Sequence, residues 1–342
     1  ARGMGGRGSN GKTNVADTSM AVLALLRSGS TPASGEYAES IRKGIKYVCD
    51  EVKASDDASL FVTKTRGTRL QSKLGTYIDT FLASMLLSEV KGQMKDEADE
   101  KMVLAALDKV MDKIEKNQKD DGTFGGAGWA NTLSQSMAAK GINRVAQSGY
   151  AVDEQVRARV EQYARKQYDG KSGKFRPAKS AGIDLYASAA TLSGMQDSDN
   201  TNGDKEEQVR EQLGKAKDDT ERKRLQDTLN RYKDNRTDLA AAKKAVVKKL
   251  DSKQFIAGFG SNGGEEFLSY MNISESLVVD GGDEWEKWDS QITKNLNRIQ
   301  NADGSWTGHH CITGRSFCTS AALLVLMTDR APVPVAATVA KR

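Results

Sequence analysis

Both histidines of the 342-residue chain, His309 and His310, stand side by side in one loop. Cys311 follows at once, and Cys318 comes seven residues later. Imidazole and thiolate are ligands of tetrahedral zinc, so His309, His310, Cys311 and Cys318 form one candidate metal set. A Cys311–Cys318 disulfide is a second reading. A turn at Gly314 would bring the two Cα atoms within the roughly 4.4–6.8 Å that the bond needs. Two ordinary buried thiols are the third reading. The structural, metal-free readings are preferred, and no cofactor is expected. The three cysteines, Cys49 included, leave the redox compartment open. A chain that opens on Ala1 instead of Met fits export, so a periplasmic or secreted location is expected over a cytoplasmic one.

A second set of polar residues recurs at one place in the sequence. Asp17, Asp79, Asn131, Asp184 and Asn272 each stand just ahead of an apolar run. Carboxylates gathered on one rim could hold a cation or a cationic ligand. The plainer account is helix capping, in which the Asp or Asn side chain accepts from an early helical N–H and Asp also suits the helix dipole. Lys12, Arg69, Lys73 and Arg315 lie in the loops before these runs, where helix N-termini and basic side chains together would draw an anion.

These residues need elements to carry them, and the elements repeat. Six short segments rich in small and apolar residues begin near Asp17, Asp79, Asn131, Asp184, Asn272 and Ser316. Longer, more charged segments alternate with them at Glu36–Lys53, Glu97–Gln118, Asp153–Tyr168, Thr237–Gln254 and Trp285–Gln300. In Glu97–Gln118, Val103, Ala106, Leu107, Val110 and Ile114 recur at three- and four-residue steps, the spacing of a helix with one apolar face. The loops carry one recurring turn, as in Asp120-Asp121-Gly122-Thr123-Phe124 and Asp303-Gly304-Ser305-Trp306. There Asp starts the turn, Gly takes a positive φ and the aromatic folds back onto the helices.

Gln300, Asp303, Gly304 and Trp306 resemble the Gln–Trp repeat of squalene-hopene and oxidosqualene cyclases. The same helix–loop–helix repeat occurs in protein prenyltransferase β subunits and in complement-type thioester domains. The resemblance covers nearly the whole chain. It implies an all-α, α/α toroid, in which about six inner helices form a ring inside a ring of outer ones. Trp306 is expected to pack against its own repeat. Five outer helices are visible, and the missing first one is expected ahead of Ala1. The ring would then be open, or closed by residues 331–342. Toroid repeats one to four are assigned to 1–196 and repeats five and six to 237–330. Residues 197–236 read as a charged insertion, helical or disordered, and 197–233 as dispensable for the toroid.

The chemistry of those relatives is hard to find. No Asp-Xaa-Asp-Asp acid cluster of the cyclases is present, and aromatic residues make up only 6% of the chain. The prenyltransferase zinc set takes Asp and Cys from one repeat and His from the next, a spacing that His309–Cys318 does not match. The thioester Gly-Cys-Gly-Glu-Gln is absent. The expected function is therefore a non-catalytic binding or assembly module, taking a protein partner or a small apolar ligand. The alternative is an isoprenoid- or lipid-processing enzyme with a divergent site. Hydrophobic residues at 38% and charged ones at 28% fit a globular chain, and no apolar run approaches the roughly 20 residues that span a bilayer. A net charge of +5, spread without Lys/Arg–aromatic blocks, gives no support for nucleic-acid binding.

Overall fold

The computed structural model describes residues 13–176, 179–260 and 262–335. Among these residues the chain is all-α, with thirteen α-helices and only a two-residue hairpin of strand, β1 (Tyr168–Asp169) with β2 (Lys174–Phe175). No helix among them is long and apolar enough to cross a membrane.

Six helices are buried over most of their length, α8 as far as Asn202: α1 (Val15–Arg27), α4 (Ile78–Val90), α6 (Asn131–Gln147), α8 (Asp184–Lys215), α11 (Gly264–Leu277) and α13 (Arg315–Leu326). Five bury one face: α2 (Ala38–Ala54), α5 (Glu97–Asn117), α7 (Glu154–Lys166), α9 (Asp219–Val247) and α12 (Gly282–Ile299). Two are single turns, α3 (Arg69–Lys73) and α10 (Lys253–Ala257). The sequence explains the division. In α2, Ile41, Ile45, Val48, Cys49 and Val52 line one stripe while Glu39, Arg42, Lys43, Lys46, Asp50, Glu51 and Lys53 lie off it. In α4, IDTFLASMLLSEV carries no polar face, and a helix apolar all round must be enclosed.

The six enclosed helices follow one another in cyclic order. α1 packs on α4, α4 on α6, α6 on α8, α8 on α11, α11 on α13, and α13 back on α1. They run the same way. The Ala16 N–H at the start of α1 donates to Asp79 at the start of α4 (3.0 Å), and Arg27 at the end of α1 pairs with Glu89 at the end of α4. Outside them, α2 lies on α1, α5 on α4, α7 and α9 on α8, and α12 on α11 and α13. Small residues set the inner spacing. A Cβ on Gly141 of α6 would stand 2.1 Å from Ser84 Oγ and 3.1 Å from the Phe81 carbonyl of α4.

The recurring turn has the same hydrogen bonds in both copies. Lys119 N–H donates to Thr123 O, and Asn301 N–H to Ser305 O, each at 2.8 Å. Asp121 and Asp303 accept from the N–H two residues on, and Gly122 and Gly304 take φ of +83° and +79°. Gln300 Nε2 closes the second copy on the Gly304 carbonyl (2.8 Å). Trp306 is buried, and its Nε1 donates to the Leu296 carbonyl of α12 (2.9 Å).

One expectation is corrected. The fifth inner helix does not start near Asn272. It starts at Gly264, and Asn272 lies buried mid-helix, where its Nδ2 donates to Ser136 Oγ of α6 (3.1 Å). Residues 197–236, read as a charged insertion, are helical: α8 runs to Lys215, a turn follows, and α9 starts at Asp219. Asp197, Ser198, Asn200, Thr201 and Asn202 are buried, and Arg157 of α7 donates to Asn202 (2.8 Å). The polar residues at 197–202 belong to a buried hydrogen-bonded face, whereas most of 203–230 is exposed or half-buried. Lys12, the Gly3–Gly11 loop and the last seven residues of the tail lie outside the described residues.

Candidate functional site

The five recurring polar residues are engaged one by one. Asn14, not Asp17, caps α1, and Asp17 sits in the first turn bonded to Asn14 Nδ2 (2.6 Å). Asp79 is buried between the Ala16 N–H and Gln71 Nε2 (2.8 Å), and burial raises its pKa. Asn131 is the first residue of α6, where its Oδ1 faces Gly75. Asp184 opens α8 and pairs with Lys249 (2.7 Å). Each is held by its own neighbours near a helix start, except Asn272.

The acidic place in the fifth repeat belongs to Glu265 and Glu266, the second and third residues of α11. Sequence reasoning passed over them because the repeat was aligned on Asn272. The available signal was Gly263-Gly264-Glu265-Glu266, acids directly after a Gly-rich loop and ahead of an apolar run. Both carboxylates are fully buried.

The loop from α12 to α13 brings His310 and Cys311 to the same point. Ligand atoms of Glu265, His310 and Cys311 lie within 4.8 Å of one another. His310 Nε2 is 3.3 Å from Glu266 Oε2, near enough for an ion pair but not aligned for a hydrogen bond. Tyr186 of α8 donates to Glu266 Oε1, which also accepts from the Phe259 N–H (2.9 Å). The Ile312 N–H reaches Glu265 Oε2 at 3.4 Å. Glu265 Oε1, Glu266 Oε2 and both ring nitrogens of His310 have no hydrogen-bond partner.

Glycine makes room for this cluster. A Cβ on Gly263 would stand 2.7 Å from His310 Cε1, 2.8 Å from Glu266 Oε2 and 3.0 Å from Glu265 Oε2. One on Gly260 would meet the His310 ring at 2.9 Å. The loop is pinned by His309 N–H to Asn262 O (2.6 Å), Gly264 N–H to Ile312 O (3.0 Å) and Arg69 Nε to Cys311 O (2.8 Å). Cys311 is held at φ +48°, a left-handed conformation uncommon for a residue with a side chain. Phe259, 56% exposed, stands over the site edge-on to His310 and Trp129. Lys73 lies 5.4 Å from the Trp129 ring.

Burial pushes the Glu265 carboxyl up to about 7, and the neighbouring Glu266 adds to the rise. Burial likewise raises Glu266, and it raises the Cys311 thiol to about 11, with Glu265 alongside adding to the shift. The site is short of positive charge.

The metal set read from the loop is only partly assembled. His309 is exposed. Cys318 is buried apart from the cluster, its thiol donating to the Ile312 carbonyl (3.5 Å). Cys311 and Cys318 are both free thiols, so the disulfide is not formed in this structure. The turn points Cys311 toward Glu265, while Cys318 is carried into the core on the first turns of α13. Of the basic residues, Arg69 and Lys73 border the cluster, whereas Arg315 pairs with Asp303.

Ten residues along α11 a second polar group is buried. Glu275 accepts from Lys140 Nζ (2.6 Å) and Arg144 Nη2 (2.8 Å), and Asp197 of α8 stands 3.0 Å from Lys140. Burial alone would raise the Glu275 pKa, but Arg144 and Lys140 outweigh it and hold the carboxyl at about 2. These residues bridge α6 and α11 across the middle of the six helices. Comparison with family models, with curated proteins and with solved structures gave no match.

Proposed function

We propose that this chain is an α/α toroid of the terpenoid cyclase and prenyltransferase type that acts as a binding or assembly module, not as a cyclase. The cyclic packing order of six parallel inner helices supports the toroid. The observation that carries the functional reading is what fills the middle. Lys140–Glu275 and Ser136–Asn272 contacts join α6 to α11, and all four residues are buried. A cyclase needs an apolar cavity there, lined with aromatic faces that stabilise carbocations. A buried ion cluster leaves no such lining at this level. Binding then falls to the rims and outer faces, where a protein partner or small apolar ligand would dock.

The second reading, a lipid- or isoprenoid-processing enzyme with a divergent site, draws on the Glu265–Glu266–His310–Cys311 cluster at the inner-helix starts. Incubation with squalene and with farnesyl diphosphate, followed by product analysis and native mass spectrometry, separates the two. The module reading expects no product and no stoichiometric isoprenoid retained. Turnover of either compound, or one isoprenoid bound per chain, would contradict it.

A further inference from the structure

We propose that Glu265, His310 and Cys311 bind one divalent ion of the zinc class at the start of α11. The ligand atoms already lie within 4.8 Å of one another, so a single ion can reach all three. The donor set of thiolate sulfur, imidazole nitrogen and carboxylate oxygen selects zinc or cobalt over magnesium or calcium, which prefer oxygen alone.

The independent observation is the state of the buried polar atoms. Glu265 Oε1 and Glu266 Oε2 belong to fully buried residues and have no hydrogen-bond partner, and neither do the two ring nitrogens of His310, of which Nε2 faces Glu266 Oε2 at 3.3 Å. Buried polar atoms are nearly always bonded, so four orphans at one point call for an unrepresented partner. The acceptors outnumber the donors, and that partner must be positive. An ion between Glu265, His310 and Cys311 answers both needs. Glu266, 3.3 Å from His310 Nε2, is placed to orient the imidazole, the usual work of a carboxylate outside a metal's own ligands.

The rest of the site suits this use. Glu265 comes from a rigid helix, and His310 and Cys311 come from a loop fixed by backbone bonds at His309, Gly264 and Cys311. Three protein ligands leave a fourth tetrahedral position for water or for a ligand of the module. Phe259 and Trp129 form the neighbouring wall.

The test is titration of chelator-stripped, reduced protein with Co²⁺, followed by displacement with Zn²⁺. One ion per chain is expected, with a near-ultraviolet thiolate-to-cobalt absorption. Cys311→Ser should abolish that absorption, and His310→Ala should weaken binding at least tenfold. Cys318→Ser and His309→Ala should bind as the unaltered chain does. Circular dichroism of each variant reports whether it is folded. Absence of binding by the folded, reduced, unaltered protein would overturn the proposal. So would binding that survives Cys311→Ser and His310→Ala, or binding lost on Cys318→Ser in a folded variant.

Discussion

One helix, α11, buries carboxylates at both of its ends and treats them in opposite ways. Glu275 is met by Lys140 and Arg144, with Asp197 completing a network of matched charge. Glu265 and Glu266 meet one another, a thiol and a histidine with unbonded nitrogens. A buried charge is tolerated when it is paired and hydrogen-bonded, and is costly when it is not. The first arrangement balances two cations against two carboxylates and ties α6 to α11, with Arg144 Nε and Nη1 its only unbonded side-chain nitrogens. The second is incomplete, and incompleteness of that kind marks a place where something else binds.

The largest effect that separates the two ends comes from truncation. Glu275→Ala would leave Lys140 and Arg144 buried without their shared carboxylate and should cost about 3–5 kcal/mol. Urea unfolding measures it, and a loss below about 1 kcal/mol would remove the distinction. Glu265→Gln in metal-free protein should be neutral or stabilising at pH 8, since it removes a buried charge that no cation pairs with directly. A loss comparable to that of Glu275→Ala would mean that both ends are structural.

The pH dependence should have opposite signs. Glu275 has a folded pKa of about 2, below its ordinary 4.5, so its stabilisation is present above pH 4.5 and is lost as pH falls through 2. Glu265 has a folded pKa of about 7, above 4.5, so its protonated form favours the fold below pH 4.5, and that contribution is lost as pH rises through 7. Each swing amounts to about 3 kcal/mol at 1.36 kcal/mol per pH unit. Stability measured from pH 3 to 8 in metal-free protein should lose its upper slope in Glu265→Gln and keep it in Glu275→Gln. The same slope in both variants would place the titration elsewhere.

Much of the scaffold was legible in the sequence. The three- and four-residue apolar spacing of Glu97–Gln118 and the Asp-Gly turns ahead of Phe124 and Trp306 are local signals, and local signals survive into the fold. The candidate site was half legible. His310 and Cys311 stood out as rare ligand types at one point. Glu265 did not, because its meaning depends on a loop some 45 residues later folding onto the start of α11, which no periodicity reports. Asn272 drew the alignment eight residues off because a buried, hydrogen-bonded Asn and a capping Asn are the same letter. Residues 197–202 gave no local sign of burial, since polar side chains that bond to Arg157 and Asn143 look like a solvated face.

The same stretch sets the smallest expected effect. Replacing residues 207–229, mostly exposed along the α8–α9 hairpin, with a short Gly/Ser linker should leave stability within about 1 kcal/mol. Removing 197–233 instead deletes Asp197, Asn202 and Arg231, the last paired with Glu161, and should abolish the cooperative melt. Equal outcomes from the two deletions, followed by circular dichroism on heating, would show that the buried network near Asp197 does not hold the inner helices.

The difference between the two ends of α11 is most directly tested by anomalous diffraction at the zinc edge from crystals grown with zinc under reducing conditions. The prediction is one peak per chain, within about 2.0–2.3 Å of Glu265, His310 and Cys311 ligand atoms, and none at Lys140, Arg144 and Glu275. A map without that peak, or one with Cys311 bonded to Cys318, would contradict it.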